Sequence, residues 1–306
     1  ITIGSKWIRY MRSLQFIIIS VIIFLCNITA GFAIDLKFGW KLPAQATVTS
    51  TNIDKRGKVI ATFELKARSI NETQILVEFF NAEIVEINGR SAADFKLPAT
   101  TKALLNAIPS YIVNKSTAQV EKIVGWDEMV NKVLSGIPSE AEKKHVSKIF
   151  KSPQFSKAIK VKSTETWSLM VGEWVGLQLT KSKPKSISYK VPMGNIKIPT
   201  KATYLLEDYP KLPGSVKLSL VRKQEIPSEF YTNIIPKILP GASKSKPDAG
   251  NMTGTKMAKV TTVHHPASLY PFFILMEEIT KITEEGKKPK IQKIIKSLRF
   301  KWKTDK

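Results

Sequence analysis

The pattern of apolar and polar residues predicts strands on both sides of a helical middle. In segment 58–69 (KVIATFELKARS) apolar residues occupy every second position, which is typical of a strand with one buried face. Segment 74–89 follows with a second apolar run and ends in the turn signal Asn88-Gly89. The alternation returns in three later segments, 174–180, 186–191 and 215–221. The chain is therefore predicted to be mainly β.

The middle of the chain has a helical pattern instead. Asp127 is predicted to cap a helix that stops at Gly136. The apolar face of this helix consists of Val130, Val133 and Leu134. Segment 139–142 (SEAE) matches a capping box and opens a second helix towards Phe150. A shorter helix is predicted over Thr101–Ile108.

The C-terminal region is predicted to be a hairpin of segments 269–283 and 290–303, joined by the turn-forming loop 284–289. One face of its last strand carries Ile294, Leu298, Phe300 and Trp302. The other face carries a basic stripe of Lys293, Arg299, Lys301 and Lys303. This basic stripe is interpreted either as a solvated outer face or as a contact surface for an anionic partner. Before the hairpin, segment 241–256 is rich in Gly, Ser and Lys and is predicted to be a loop.

The element order predicts one β-rich domain over residues 34–306. A first strand block (34–125) precedes a helical segment (126–160), and a second strand block (161–306) follows. The fold class is α+β, a curved antiparallel sheet or half-barrel with two or three helices inserted in the middle of the chain. Bulky apolar residues either form an ordinary core or line a cavity for a lipid or hydrophobic peptide. They are Phe79, Phe80, Trp126, Trp167, Trp174, Phe272, Phe273 and Trp302.

The N-terminal apolar run 14–33 (LQFIIISVIIFLCNITAGFA) predicts export. It follows a basic segment that contains Lys6, Arg9 and Arg12. Small residues end the run, so residues 1–33 have the three parts of a signal peptide, with cleavage after Ala33. The alternatives are an uncleaved N-terminal anchor and lipid attachment at Cys26. All three place the remaining chain outside the cytoplasm, in the periplasm or at the cell surface.

Cysteine content and charge limit the chemistry further. Cys26 is the single cysteine, so a mature chain would have no disulfide, no thiolate nucleophile and no cysteine-bound zinc. An exported chain of this kind is typical of a bacterial envelope protein. The formal charge is +23, and removal of the leader would leave 45 basic and 25 acidic residues, or +20. This balance favours an anionic lipid or lipopolysaccharide surface, unless it reflects composition alone. With seven arginines in the chain, sequence-specific nucleic-acid recognition is disfavoured.

No pattern of catalytic or metal-binding residues is present in the sequence. Phosphate-loop, nucleophile-elbow and zinc-protease motifs are missing. His264 and His265 are adjacent, so a strand would point them to opposite faces. The neighbouring acids Glu277-Glu278 and Glu284-Glu285 fit a hairpin better than a catalytic cleft. We therefore expect no enzyme activity, no catalytic residues, no metal and no cofactor.

Three motifs carry a resemblance to a group of known proteins. They are VEKIVGWDEMV at 120–130, ETWSLMVGEW at 165–174 and SLYPFFILMEEITKIT at 268–283. In this order, and followed by a basic hairpin strand, they resemble uncharacterised exported β-rich bacterial proteins, which are similar to half-barrel carriers of lipoproteins and lipids. The resemblance itself implies little about activity. The leader, the basic balance and the bulky apolar residues instead predict a non-enzymatic envelope protein that binds an amphipathic or anionic component, such as a lipid, lipopolysaccharide or lipoprotein-like ligand. A structural or partner-binding envelope protein without a small ligand is the alternative.

Overall fold

The computed structural model describes residues 33–97, 101, 105, 108–153, 164–193, 196–233 and 252–303. Within them the N-terminal strand block consists of β1 (Ala33–Asp35), β2 (Ala44–Asp54), β3 (Gly57–Ser69), β4 (Gln74–Ile87), β5 (Arg90–Ser91), β6 (Ser110–Asn114) and β7 (Val120–Val124). The C-terminal block consists of β8 (Gln178–Thr180), β9 (Lys185–Met193), β10 (Ile196–Asp208), β11 (Val216–Ile226), β12 (Met252–His264), β13 (Pro271–Glu284) and β14 (Lys290–Trp302). The helices are α1 (Trp126–Ser135), α2 (Glu140–Lys151) and α3 (Ser228–Asn233), with a 3-10 turn at Ala92–Asp94 and a π-helix at Ser168–Gly172.

The two strand blocks form one antiparallel sheet. Its strand order is β7-β6-β4-β3-β2-β14-β13-β12-β11-β10-β9, with β5 beside β4. The central pair joins β2 to β14, with Val48 opposite Phe300. Strands β1 and β8 pair separately. The sheet is open, with β7 and β9 at its two ends, which confirms the predicted fold class.

Contacts of the short segment from Trp167 to Trp174 show that the sheet is strongly curved, since this segment reaches strands near both ends of the sheet. Trp167 Nε1 donates a hydrogen bond of 2.7 Å to the Ala118 carbonyl, between β6 and β7. Trp174 lies edge-on to Tyr204 of β10, with ring centroids 6.2 Å apart. In a flat sheet, β6 and β10 would be about 38 Å apart at ~4.8 Å per strand. Seven helical residues span only ~10 Å. The sheet must therefore wrap around this segment, and its inner surface is called the concave face below.

The core follows from the alternation in the sequence. Period-two spacing buries one side of each central strand, as in β2, where Ala44, Ala46 and Val48 are all buried. The predicted strands at 58–69, 74–87, 186–191 and 216–221 are confirmed, as is the terminal hairpin of β13 and β14. The buried positions of neighbouring strands are in register, so they form one continuous cluster on the concave face.

The helices α1 and α2 lie in the middle of the chain, as predicted, but they form their own small cluster. Its buried members are Met129, Val130, Val133, Ile137 and Phe150. Ser139 Oγ accepts a hydrogen bond of 3.3 Å from the Glu142 amide, which agrees with the predicted capping box. The predicted cap of α1 is wrong. Gly125, with a positive φ of 68°, occupies the N-cap, and Asp127 lies in the first turn, where a carboxylate favours the helix dipole.

Other predictions need correction or cannot be compared. Segment 174–180 is a strand only at Gln178–Thr180. The residues before it follow a helical spacing of three and four, which buries Trp167, Met170, Val171 and Trp174 together. The predicted loop 241–256 is wrong for residues 252–256, which belong to β12. Its other residues, the leader 1–32 and most of the helix at Thr101–Ile108 lie outside the described residues; Thr101 and Leu105 are helical.

Candidate functional site

The concave face has a filled half and a partly exposed half. The filled half lies where β2 begins and β14 ends, and it contains an aromatic plug. The plug consists of Phe38, Trp40, Trp167, Trp174, Tyr270 and Trp302. The other half, called the open half, lies towards the end of β2 and the beginning of β14. These two halves are built from the same strands, so the plug alone distinguishes them.

Ring contacts hold the aromatic plug together. Trp40 stacks on Tyr270 with centroids 5.2 Å apart and meets Trp302 and Trp167 edge-on at 4.9 and 5.4 Å. Trp302 Nε1 donates a hydrogen bond of 2.8 Å to the Pro271 carbonyl. Aromatic pairs of this geometry add to the stabilisation by apolar burial. The plug is therefore structural core, and it blocks one end of the concave face.

A polar cluster lies beside the plug on the concave face. Glu173 Oε1 accepts a hydrogen bond of 2.6 Å from the Tyr204 hydroxyl and one of 3.0 Å from Arg222. Burial, and after it the hydrogen bond to Glu173, raises the pKa of Tyr204. Burial disfavours the charged form of Arg222, but the Glu173 carboxylate outweighs it, so the pKa of Arg222 is raised. The buried Arg222 Nε has no hydrogen-bond partner among the described residues. Part of this cluster lines a cavity of about 330 Å³.

The floor of the open half is mainly aliphatic. Strand register places Val59 opposite Ile87 and Ala61 opposite Ile84, on the side that Leu65 and Ala67 share. On the adjoining strands the floor includes Ile294, Leu298, Met276, Ile282 and Ala258. All of these side chains are partly exposed rather than buried. Register also places Asn52 of β2 opposite Val59, and Lys296 of β14 opposite Met276, on the same face. The floor therefore has aliphatic patches that keep contact with water, separated by polar side chains, and such patches are suited to an amphipathic ligand.

Charged groups lie within this floor, since Glu278 is opposite both Ala258 and Ile294. Lys256 Nζ and Glu278 Oε2 form an ion pair of 3.0 Å across β12 and β13. The Asn52 Oδ1 atom is buried and has no hydrogen-bond partner among the described residues. Tyr231 of α3 packs directly over Gly254, where a Cβ would displace it. The open half therefore combines aliphatic patches with charged and polar groups.

The end of the open half continues into a notch between two hairpins. The notch has a volume of about 560 Å³. It is lined by Ile53, Asp54, Lys55, Thr280, Ile282, Lys290, Ile291, Gln292, Lys293 and Ile295. It forms because β14 pairs with β2 only from Ile295 onward, opposite Ile53, so the first residues of β14 project past β2. Strand alternation contributes side chains from both faces of the sheet to this notch.

The basic stripe lies on the convex face, away from the plug. Register places Lys293, Arg299 and Lys301 on one side of β14, and Lys303 follows directly after the strand. Lys293 pairs with Glu277 at 3.6 Å and Lys303 with Glu64 at 3.3 Å. Arg299 lies over the Phe273 ring, 5.4 Å from its centroid. Contact between the stripe and an anionic surface stays a prediction.

The structure divides the aromatic residues that the sequence singled out. Trp167, Trp174 and Trp302 belong to the plug, so the core interpretation is correct for them. Trp126 contacts Phe150 in the helical cluster instead. Two features were not predicted from the sequence. They are the plug positions of Phe38, Trp40 and Tyr270, and the polar cluster of Glu173, Tyr204 and Arg222. A signal for the plug was present in the helical spacing from Trp167 to Trp174.

Comparison with known proteins gives a likeness in outline only. No family model matches the chain, and no curated protein matches it. A solved structure described as "lipid-protein interactions in lipovitellin" is similar with a TM-score of 0.42 and 9% sequence identity. The match covers 85% of this chain and 25% of that chain, so this chain spans about a quarter of its length. The β-rich, half-open architecture expected from the sequence is shown by the strand order of the structure itself. Among the described residues, no helix has the length and apolar composition needed to cross a membrane.

Proposed function

We propose that the protein is an exported, non-enzymatic envelope protein that binds an amphipathic or hydrophobic ligand on the open half of its concave face. One observation carries the proposal. The strands that bury their inner face completely against the aromatic plug keep aliphatic side chains such as Val59, Ala61 and Ile294 partly exposed beyond it. A protein that needed only a core would gain stability by covering these residues.

The arrangement of apolar and polar groups favours a ligand with two chemically different ends. An acyl chain can lie along the floor formed by Val59, Ala61 and Ile294, because all three side chains face it. A polar or anionic headgroup can lie towards Lys256 and Arg222, where the positive charges are partly buried and weakly screened. Lipids, lipopolysaccharide and the acyl groups of lipoproteins all have this chemistry. Export by the leader 1–33 supports an envelope component as the source of the ligand.

The expected affinity follows from the apolar area that the ligand would lose to water. An acyl chain that buries ~400 Å² gains about 10 kcal/mol at ~25 cal/mol per Å². Association and ordering cost at least about 4 kcal/mol, which leaves about 6 kcal/mol, an affinity on the order of tens of micromolar. Binding is therefore measurable with a fluorescent fatty acid at ordinary protein concentrations.

The test compares a tryptophan placed on the concave face with a tryptophan placed on the convex face. Ala61→Trp places an indole on the concave face, and the neighbouring Thr62→Trp places the same group on the convex face. We expect Ala61→Trp to weaken binding of the fluorescent fatty acid by about tenfold or more, since the indole occupies the volume of the acyl chain. Thr62→Trp should bind as the unmodified protein does.

Equal binding by both variants would contradict the proposal, because it would place the fatty acid elsewhere on the surface. No binding by the unmodified protein would favour a structural or partner-binding envelope protein without a small ligand. Circular dichroism and thermal unfolding of both variants establish that each is folded.

A further inference from the structure

The end of the molecule beyond the open half contains two hairpin turns, and we call these residues the tip. The tip comprises the β2–β3 turn with its flanks, 53–58, and the β13–β14 turn with the start of β14, 284–293. The notch of about 560 Å³ lies between the two parts of the tip. Side chains from both faces of the sheet line the notch.

The tip exposes large aliphatic side chains. Ile291 is 69% exposed and Ile53 is 38% exposed. Ile291 lies at the start of β14, next to the turn, and no residue of β2 pairs with it. Transfer of such an exposed isoleucine from water into an apolar phase lowers the free energy of the system.

The charge around these isoleucines is positive. Residues 53–58 and 284–293 include seven basic and three acidic side chains, a net charge of +4. Four of the basic residues are paired. Arg56 pairs with Asp54 and Lys287 with Glu284 inside the tip, while Lys58 pairs with Glu86 and Lys293 with Glu277. Lys55, Lys288 and Lys290 have no ion-pair partner among the described residues. Their ammonium groups are therefore available to an external anion.

From this combination we infer that the tip docks the protein on an anionic lipid surface. Ile291 and Ile53 enter the boundary between headgroups and acyl chains, while Lys55, Lys288 and Lys290 contact lipid phosphates. Aliphatic residues surrounded by lysines match both layers of such a surface, and each lysine near it favours binding. The notch then provides a route from the bilayer to the concave face. This route rests on the proposed function, whereas the docking does not.

The test is co-sedimentation with phosphatidylcholine vesicles that contain or lack phosphatidylglycerol. We expect the full chain without its leader to bind the anionic vesicles preferentially and to dissociate as salt is raised. Ile291→Asp should raise the lipid concentration for half-binding by about tenfold. Lys288→Gln with Lys290→Gln should raise it by about tenfold at low salt. Both sites are exposed, so the fold is expected to tolerate these changes.

Matched controls use the same changes at other exposed positions. Ile70, which is 45% exposed in the β3–β4 turn at the opposite end of the strands, serves for Ile70→Asp. Lys183→Gln with Lys185→Gln removes the same charge at the start of β9, also away from the tip. Both controls should bind vesicles as the unmodified protein does.

Two outcomes would overturn the docking proposal. The first is equal vesicle binding by Ile291→Asp and Ile70→Asp. The second is a dimer in solution that Ile291→Asp dissociates, which would assign the tip to a second copy of the chain. Fluorescent fatty acid binding separates this proposal from the proposed function. Tip variants should retain it in solution, and Ala61→Trp should retain vesicle docking while losing the fatty acid.

Discussion

The two ends of the concave face are formed by the same strands but have opposite properties. At the plugged end, Trp167 is 1% exposed and Trp174 is fully buried, and both contact residues from other parts of the sheet. At the open end, aliphatic side chains of these strands, such as Val59 and Ile294, remain partly exposed. The strands alternate in the same way at both ends. Strand alternation alone therefore does not determine whether a sheet face becomes core or a binding surface.

The difference comes from two connecting segments. The chain between β1 and β2 supplies Phe38 and Trp40, and the helical segment before β8 supplies Trp167 and Trp174. These rings fill the curved sheet at one end. Because the stability of a protein is unevenly distributed, the plugged end can hold the fold while the open end adapts to a ligand. Mutations at the two ends should consequently have different effects.

The largest expected effect is on the free energy of unfolding. Trp167→Ala removes a buried ring and the hydrogen bond to the Ala118 carbonyl, and we expect a loss of about 3–5 kcal/mol. Ile294→Ala at the open end should cost only about 1 kcal/mol, since its side chain is already partly exposed. Urea denaturation followed by circular dichroism measures both values.

Ligand binding should respond in the opposite order. Ile294→Ala should weaken fluorescent fatty acid binding although it hardly affects stability. If Ile294→Ala destabilised the fold as much as Trp167→Ala, the open half would be core, and the distinction between the two ends would be wrong.

The strands could be predicted from the sequence, but their two kinds of inner surface could not. Period-two alternation predicted β3, β4 and the terminal hairpin, because the apolar positions within a strand indicate which of its side chains face the core. Whether Val59 or Leu65 is covered depends on segments far away in the chain. The helical spacing of Trp167, Met170, Val171 and Trp174 was visible, yet the alternation of Val175, Leu177 and Leu179 beside it led to a strand prediction.

The same limit applies to charged groups. Alternation along β14 placed Lys293, Arg299 and Lys301 on one face, and the structure agrees. Their partners could not be predicted, since Glu277 and Glu64 come from strands that are neighbours only in the sheet. The tip isoleucines likewise become exposed because β14 projects past β2, a register difference that neither strand encodes alone.

An intermediate effect is expected from acid at the plugged end. His264, at the end of β12, is fully buried near Trp174, and its Nδ1 lies 3.1 Å from the Leu269 carbonyl. Burial lowers the pKa of His264 to about 4. In the unfolded chain this imidazole has a pKa of about 6.5, so it is protonated at a pH at which the buried imidazole of the folded chain stays neutral. The contribution of His264 to the free energy of unfolding is therefore fully present above about pH 6.5. It decreases as the pH is lowered, by about 2 kcal/mol at pH 5.

Urea denaturation at pH 7 and pH 5 measures this loss. Burial raises the pKa of the Glu64 carboxyl, but hydrogen bonds from Thr47 and Lys303 outweigh it, so this pKa is lowered overall. His264→Asn keeps a hydrogen-bond donor for Leu269 and cannot titrate, so its stability should change less between pH 7 and pH 5. An unchanged pH dependence in His264→Asn would assign the acid sensitivity to other groups.

The smallest expected effect separates the two ends of the basic stripe. Arg299, Lys301 and Lys303 lie towards the plugged end, and Lys293 lies at the notch. Changing the first three to Gln should alter the free energy of unfolding by less than about 1 kcal/mol, because exposed ion pairs such as Lys303 with Glu64 contribute little. Vesicle binding should also change little, since Arg299 already covers the Phe273 ring. Lys293→Gln should weaken it slightly by removing one charge from the tip. Co-sedimentation at low salt compares the triple variant with Lys293→Gln. A stronger loss in the triple variant would mean that the anionic surface contacts the whole convex stripe, and the membrane contact would then belong to the convex face of β14 instead of to the tip.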